Sequence, residues 1–554
     1  MEELGNEALR VSRCPLRTRQ PKEWQKVKAR FGPAGDGLAP CRLAYEDENK
    51  AANSSPMNAL LIYPEFPDTF WSFRHALKFI GKKSAFPPLG LLTISAMLPR
   101  SWHRRLVDMN VRPLTAADLK WADIVFASAM YVQKESLKEV ISLCKAHGKT
   151  VVMGGPYASM GLNDAIEADH VFVGEVETTF PAFLDDFARG EAKAVYQAPE
   201  RPALSLTPIP DFGLAELGQY SDMAVQYSRG CPFSCEFCDI IEIYGRVPRT
   251  KSNQQILAEL DALMRIGWRG EVFIVDDNFI GNKKNVRALM PELAAWSERH
   301  KYPFAFTTEA SVNLADDDEL LEQMRAAGFR QVFIGIETPV VESLKEAQKG
   351  QNTRRDLIDS VRHVQSYGME VLAGFIVGFD HDPDDIFERQ IDFIRESAIP
   401  VAMVGLLAAI PDTQLWRRLE REGRLTGVED HTGSNTDCVL NFVPRMEPSR
   451  LIEGYKSIIR NIYSPQEYYA RSLDSLGRVM RDGVPQMGQS GLKREDISAF
   501  ARIIFALGVR DKSRGEFWRF MGKVVSEHRD KIEDGLMLAA LGYHFRKLTE
   551  AYGY

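Results

Sequence analysis

The sequence predicts an α/β protein: a doubly wound, Rossmann-like parallel sheet, then a partial (β/α)6 barrel, then a helical C-terminal region. Two repeated rhythms and one interruption predict it. Strand-length apolar runs alternate with helical stretches from residue 57 to about 190, and again from 216 to about 444. Between them lies the proline-rich connector "PERPALSLTPIPDF" (199–212). At 554 residues the chain is too long for one ordinary core. The expected division is a poorly ordered extension (1–56), the sheet domain (57–198), a linker (199–215), the barrel (216–444) and a helical domain (445–554).

The extension is basic, broken by proline and glycine, and lacks sustained periodicity; Met57, which opens a clean strand signal, is a candidate start. The runs "NALLIYP", "RRLVDMN", "DIVFASA", "KTVVMGG" and "HVFVGE" then read as buried strands, separated by helical stretches such as "KESLKEVISLCKAHG". Ligands of such sheets sit beyond the carboxyl ends of the strands. Those ends carry Asp108 and Asn110 of "DMN", Ser128, the pair Gly154–Gly155, and Gly174–Glu175. Paired glycines either let a large flat or phosphate-bearing group approach the backbone or simply form the turn.

In the second rhythm, "MAVQYSRG", "EVFIVDDN", "FAFTTEA", "QVFIGIE", "EVLAGFIVGF" and "VAMVGLL" are six strands, fewer than the eight of a closed barrel, so one side is expected to be open. Asp276, Asp277, Asn278, Glu309 and Glu337 fall at successive strand ends and point to a shared pocket. After 445, "SAFARIIFALGV" and "GEFWRFMGKVV" are amphipathic, reading as core faces of a helical appendage or as an apolar substrate entrance.

The formal net charge of −7 does not suggest a nucleic-acid partner. The longest nearly apolar run, 399–411, is too short to span a bilayer, and the polar start is no signal peptide. With an odd count of seven cysteines, no secreted disulfide framework is expected. A cytoplasmic protein without a transmembrane segment is expected.

Three of those cysteines, Cys231, Cys235 and Cys238 in "RGCPFSCEFCDI", directly follow the first barrel strand. Three thiolates suit an iron–sulfur cluster with one iron left open, or three-quarters of a Cys3His zinc site. The nearest preceding histidines, His147 and His170, belong to the other domain. The motif "CPFSCEFC" after a strand resembles that of the radical S-adenosylmethionine (SAM) superfamily. The resemblance implies a [4Fe–4S] cluster on Cys231, Cys235 and Cys238, whose open iron chelates SAM and whose reduction yields a 5′-deoxyadenosyl radical. It further implies SAM contacts from Phe237, from Asp276, Asp277 and Asn278 of "VDDNF", from Glu309 and Glu337, and from Gly374 of "GFIVGF".

The preceding sheet, with "FPPLGLLTISAML", "VVMGG" and "VGEVETTFP", is similar to the cobalamin-binding class of that superfamily. This implies corrinoid contacts from Asp108, Asn110, Ser128, Gly154, Gly155, Gly174 and Glu175. Asn110 stands where many cobalamin proteins carry a cobalt-ligating histidine, which implies a histidine-off mode; Val176 departs from the family's usual "GEGE". The implied activity is methylation of an unactivated carbon through methylcobalamin and the adenosyl radical, with cyclisation, hydroxylation or rearrangement as the alternative and a non-catalytic cobalamin sensor as a third reading. A small-molecule substrate of lipid-like character and a reductant such as flavodoxin or ferredoxin are the expected partners. Cys144 reads as a buried helix residue, and Cys438 as inert or as a thiol approaching the site.

Overall fold

The computed structural model describes residues 56–160, 167–426, 438–481, 483–485 and 494–554. The expected extension, with Cys14 and Cys41, lies outside the described residues except for Pro56.

The first sheet comprises β1 (Asn58–Tyr63), β2 (His103–Asp108), β3 (Ile124–Ser128), β4 (Thr150–Gly154), β5 (His170–Val173) and β6 (Val195–Gln197). Their order is β2-β1-β3-β4-β5-β6, and every pairing is parallel. The direction of winding reverses beside β1, which places the ligand-binding crevice at the carboxyl ends of β1 and β3. Because helices cover both faces, the strands are apolar on both. Leu60, Ile62, Val125 and Val151 pack on Leu137, Val140, Ile141 and the fully buried Cys144 of the helix Lys134–Ala146. Ala59, Leu61, Phe126 and Phe172 pack on Leu91, Phe180 and Phe183. The edge strand β6 was not among the expected strands. It has only three residues, and its buried Tyr196 stacks on Phe172 with centroids 5.2 Å apart.

The second sheet begins with β7 (Met223–Val225). A short antiparallel ribbon, β8 (Ser228–Arg229) with β9 (Arg249–Thr250), follows. Then come β10 (Gly270–Ile274), β11 (Phe304–Ala310), β12 (Phe329–Glu337), β13 (Glu370–Val377) and β14 (Ala402–Leu406). Apart from the ribbon, the six strands are parallel in the order β7-β10-β11-β12-β13-β14, with β7 and β14 at the edges. The expected partial barrel is therefore present, open between its first and last strands.

The helices Pro448–Ile462 and Pro465–Arg478 each start on a proline whose missing N–H would have had no intrahelical partner, and are capped by Glu447 and Ser464. The last helix, Ile532–Ala551, reaches the loop after β1. There Phe545 stacks on Phe70 at 4.4 Å, the buried His544 donates from Nε2 to the Phe70 carbonyl at 3.1 Å, and the Tyr552 hydroxyl donates to the Asp68 carbonyl. Burial depresses His544 to about 4, so it remains neutral. Among the described residues, no helix is long and apolar enough to cross a membrane.

Candidate active site

The β8–β9 ribbon closes the cysteine loop at its base. Gly230, at φ +95°, lets the chain pass so close that a Cβ would lie 2.8 Å from the Gly245 carbonyl. Cys231 N–H donates to that carbonyl at 3.2 Å, and Cys238 N–H donates to the Cys235 carbonyl at 3.1 Å. All three thiols are free and half-buried, and burial pushes each of them up. Two amides point at the sulfurs: Asn278 Nδ2 lies 3.7 Å from Cys231 Sγ, and Gln351 Nε2 lies 3.8 Å from Cys235 Sγ. Among the described residues, no three His, Cys, Asp or Glu side chains are grouped to hold a metal ion. A cluster spreads its thiolates over different irons and needs a wider triangle than a single ion does. Three thiols on one loop, with N–H donors at two of the sulfurs, are the kind of donor set such a cluster takes.

The carboxylates above the barrel separate into fixed and free groups. Asp276 is 1% exposed and accepts from Tyr227 N at 2.7 Å, Ser228 N at 2.8 Å and Ser228 Oγ at 2.6 Å, so it pins the turn before the cysteines. Asn278 holds Ser311 at 3.2 Å as well as Cys231. Asp277 accepts from Gly230 N–H at 3.2 Å, and burial lifts it to about 7. The Glu309 carboxylate has no hydrogen-bond partner among the described residues, and burial plus the Asp277 and Asp276 carboxylates push it up to about 8. Glu337 adopts φ +67° at the irregular end of β12 and pairs with the buried Lys349. A Cβ on Gly335 would stand 2.5 Å from Glu337 Oε1. Phe237 packs on Phe379 at 6.2 Å under the Lys349 ammonium. Gly374 leaves room for the Phe333 ring, which a Cβ would approach to 3.1 Å.

On the sheet side, Gly155 has φ +94°, and a Cβ there would sit 2.4 Å from Ser128 Oγ. Gly174, at φ +78°, faces open space and receives no such crowding. These turns leave a bare ledge at the ends of β3, β4 and β5, which suits the broad face of a corrinoid. Asp108 and Asn110 knit their own loop: Asn110 Nδ2 donates to Asp108 Oδ1 at 2.8 Å, and Tyr220 donates to Asp108 Oδ2 at 3.0 Å. Glu175 is engaged by Arg249 and, at 2.7 Å, by Arg229, which also holds Glu177 at 2.7 Å. The "GEVE" turn thus ties the first sheet to the ribbon beneath the cysteines, a pairing unseen in the sequence because its partners lie more than 50 residues apart.

Both sheet edges open onto one cavity of about 930 Å³. It is lined by Asn110, Ser128, Gly154, Gly155, Gly174 and Glu175 from one side and by Asp276, Asp277 and Glu309 from the other. Phe237, Asn278, Glu337, Gly374 and Asp108 lie outside its lining. Cys438 is also off the lining and donates to the Tyr554 oxygen at 3.2 Å. An aromatic belt escaped the sequence reading. Trp71, Phe86, Phe273 and Phe333 line the cavity, and Trp71 meets Phe333 edge-on at 5.3 Å. The alternation in "EVFIVDD" was its available signal, since residues 271, 273, 275 and 277 share one face.

A doubly wound sheet whose ligand edge shares a cavity with a cysteine-bearing open barrel is the arrangement expected of an enzyme that takes both a corrinoid and an iron–sulfur cluster. Residues 83–184 match the B12 binding domain, 225–394 the radical SAM superfamily, and 413–553 a domain of unknown function (DUF4070). The chain is 43% identical over 500 residues to an uncharacterized methyltransferase of Synechocystis sp., covering 89% of this chain and 92% of that protein. It is 35% identical over 494 residues to the hopanoid C-2 methylase of Rhodopseudomonas palustris, covering 88% and 92%. Its fold is that of the cobalamin-dependent SAM radical enzyme OxsB solved with aqua-cobalamin and SAM (TM-score 0.58, 16% identity, 90% of this chain and 80% of that one). The radical SAM methyltransferase TsrM from Kitasatospora setae is also similar (TM-score 0.56, 14% identity, 90% and 100%). The chain belongs to the cobalamin-binding radical SAM family. It is a radical SAM C-methyltransferase that uses a [4Fe–4S] cluster, SAM and cobalamin.

Proposed function

We propose that this methyltransferase acts on an unactivated carbon of a polycyclic, terpenoid-like lipid of the hopanoid kind. The observation that carries this reading is the aromatic belt of Trp71, Phe86, Phe273 and Phe333, continued by Leu372 and Met403, in the cavity both sheets share. Such a belt buries a large apolar body and offers it few hydrogen bonds. The 35% identity to a hopanoid C-2 methylase supports the same substrate class.

When bound, the cofactors supply a methyl donor and a hydrogen-abstracting radical, chemistry beyond amino-acid side chains. The chain's own residues bind, orient and exclude water. We assign Cys231, Cys235 and Cys238 to the cluster, with Asn278 and Gln351 donating to two of the sulfurs. Asp277 and Glu309 are assigned to SAM's polar groups, and Glu309, close to half-protonated near its pKa of about 8, can hold or release a proton beside them. Phe237, Glu337 and Gly374 support the cluster side from behind, and Asp276 holds the turn. The Gly154–Gly155 and Gly174 ledge with Ser128 is assigned to the corrinoid, while Asp108, Asn110 and Glu175 shape its rim. Residues 57–198 carry the corrinoid and 216–444 the cluster and SAM, with 445–554 bracing both. A low-potential electron donor such as flavodoxin or ferredoxin, and the reducing cytoplasm, complete the reading.

The test is anaerobic turnover of the reconstituted enzyme with a hopanoid hydrocarbon, a reductant and SAM. The expected result is a product heavier by one methylene, together with 5′-deoxyadenosine and S-adenosylhomocysteine. A product altered without added carbon would overturn the methyl transfer. Cofactor products with the hydrocarbon unchanged would overturn the substrate class.

A further inference from the structure

The apolar belt does not extend to the end of the cavity. Glu271, Phe273, Val275 and Asp277 alternate along β10 and its extension, and all four line the same space. Asp277 marks the carboxyl end of the strands and Glu271 the amino end, so the space runs through the barrel for six residues, roughly 20 Å of strand. Parallel pairing puts Asp222 beside Glu271, since Met223 pairs with Val272, and it pairs Thr307 with Gln331 and Gln331 with Glu370. The far end therefore carries a polar floor beneath an aromatic wall.

Met480, Val484 and Pro485 pack against the strands that carry that floor. Arg330 donates to the Pro485 carbonyl at 3.0 Å, and Gly368 accepts the close approach of Met480 and Val484, where a Cβ would stand 2.6 Å from the Met480 carbonyl. Among the described residues, Arg330 donates to Pro485, and Arg481 pairs with Asp534 at 3.0 Å while its Nε has no partner. Gln331 donates to Glu370 at 2.8 Å and accepts from Thr307 at 3.3 Å, and Asp222 accepts from Ser221 at 2.7 Å. Glu271 differs from its neighbours, because its Oε2 is buried and no donor among the described residues meets it. A buried oxygen without a partner carries an unrelieved desolvation cost of a kind folded proteins rarely keep.

We propose that Asp222, Glu271 and Gln331 form a subsite for the hydroxyl-bearing end of an amphiphilic substrate, whose apolar body lies in the aromatic belt above. The inference rests on the lipid-substrate reading and deepens it. The depth at which the polar end seats sets which carbon of the body stands at the cofactor mouth. Burial lifts Asp222 to about 6, and burial with the Asp222 charge lifts Glu271 to about 7, so near neutrality Glu271 is partly protonated and can donate as well as accept, while Asp222 mainly accepts; together they offer what a hydroxyl group requires.

The probes are a hopanoid hydrocarbon and its counterpart with a polyhydroxylated tail, titrated calorimetrically into the anaerobically reconstituted full chain. Wild type is expected to bind the hydroxylated probe at least tenfold more tightly. Glu271→Leu is expected to erase that preference while leaving the hydrocarbon within twofold. Glu271→Gln, which keeps a donor and an acceptor and serves as the folding-safe variant, is expected to retain most of it. Equal binding of both probes to wild type would overturn the subsite and leave the lipid reading standing, as would a preference that survives both Glu271→Leu and Asp222→Asn. Binding of neither probe to wild type would overturn both.

Discussion

Replacing Arg418 by methionine should loosen the cluster without touching a thiol. Glu236 stands between Cys235 and Phe237, its N–H donating to the Ala347 carbonyl at 3.1 Å and its carbonyl accepting from Leu415 at 2.7 Å. Its carboxylate is gripped by Arg418 at 2.7 and 3.2 Å from the helix Gln414–Arg421, within the domain of unknown function. The same guanidinium reaches Asp380 at 3.0 Å and Glu346 at 3.2 Å. The three carboxylate side chains are only 6–8% exposed. Removing one partner of a buried charge pair costs about 3–5 kcal/mol. Arg418 is itself 23% exposed, and Arg424 still holds Asp380 at 2.7 Å, so the lower part of that range or less applies. Taking about 2–3 kcal/mol, the cysteine loop opens roughly 30- to 150-fold more often. The assay is the rate of iron release to an excess of chelator from the anaerobically reconstituted protein. Arg418→Lys, with a charge but no fork, should fall between the two. Release from Arg418→Met within twofold of wild type would refute the clamp.

Other perturbations test other parts of the site. Any one of Cys231→Ser, Cys235→Ser or Cys238→Ser should abolish the iron–sulfur absorption while the far-ultraviolet dichroism stays native, and retention of three or more irons per chain would refute the assignment. Gly155→Ala forces a left-handed alanine against Ser128 Oγ, a strain of about 1–3 kcal/mol. The purified protein should retain less cobalamin, and adding Ser128→Ala should restore only part, because the backbone strain remains. Burial raises Glu271 from 4.5 to about 7 within a group that includes Asp222, Arg330, Arg481 and Asp534. The folded chain thus holds a proton that the unfolded chain releases, and stability falls as pH rises from about 4.5 to about 7. Glu271→Gln should flatten that decline in urea unfolding measured at pH 5 and pH 7.5, and an unchanged slope would contradict it.

Local signals and distant pairings divided what the sequence could disclose. The strands were legible because each is an uninterrupted apolar run, and the cysteine loop because its spacing is compact. Nothing local separates Asp276, with its three donors, from Glu309, whose carboxylate has none among the described residues; both are acidic residues at a strand end. Glu175 stands after β5 in the cavity lining, and no local signal disclosed that Arg229 and Arg249 also hold its carboxylate from the ribbon. Arg418 was invisible for the same reason, standing 182 residues from Glu236. β6 was too short to announce itself, and three residues in a polar stretch became a strand only because Tyr196 found Phe172.

His544, Phe545 and Tyr552 hold the loop that presents Phe70, Trp71 and Phe73 to the cavity. The cavity wall is therefore finished by a segment made nearly 500 positions after the one it steadies. A ribosome-bound chain lacking that stretch has both cofactor edges already synthesised while one side of the chamber still lacks its buttress. Truncations ahead of His544 would then alter which molecules the enzyme accepts before they alter whether it can bind its cofactors, and selectivity and loading would become separable properties of one polypeptide.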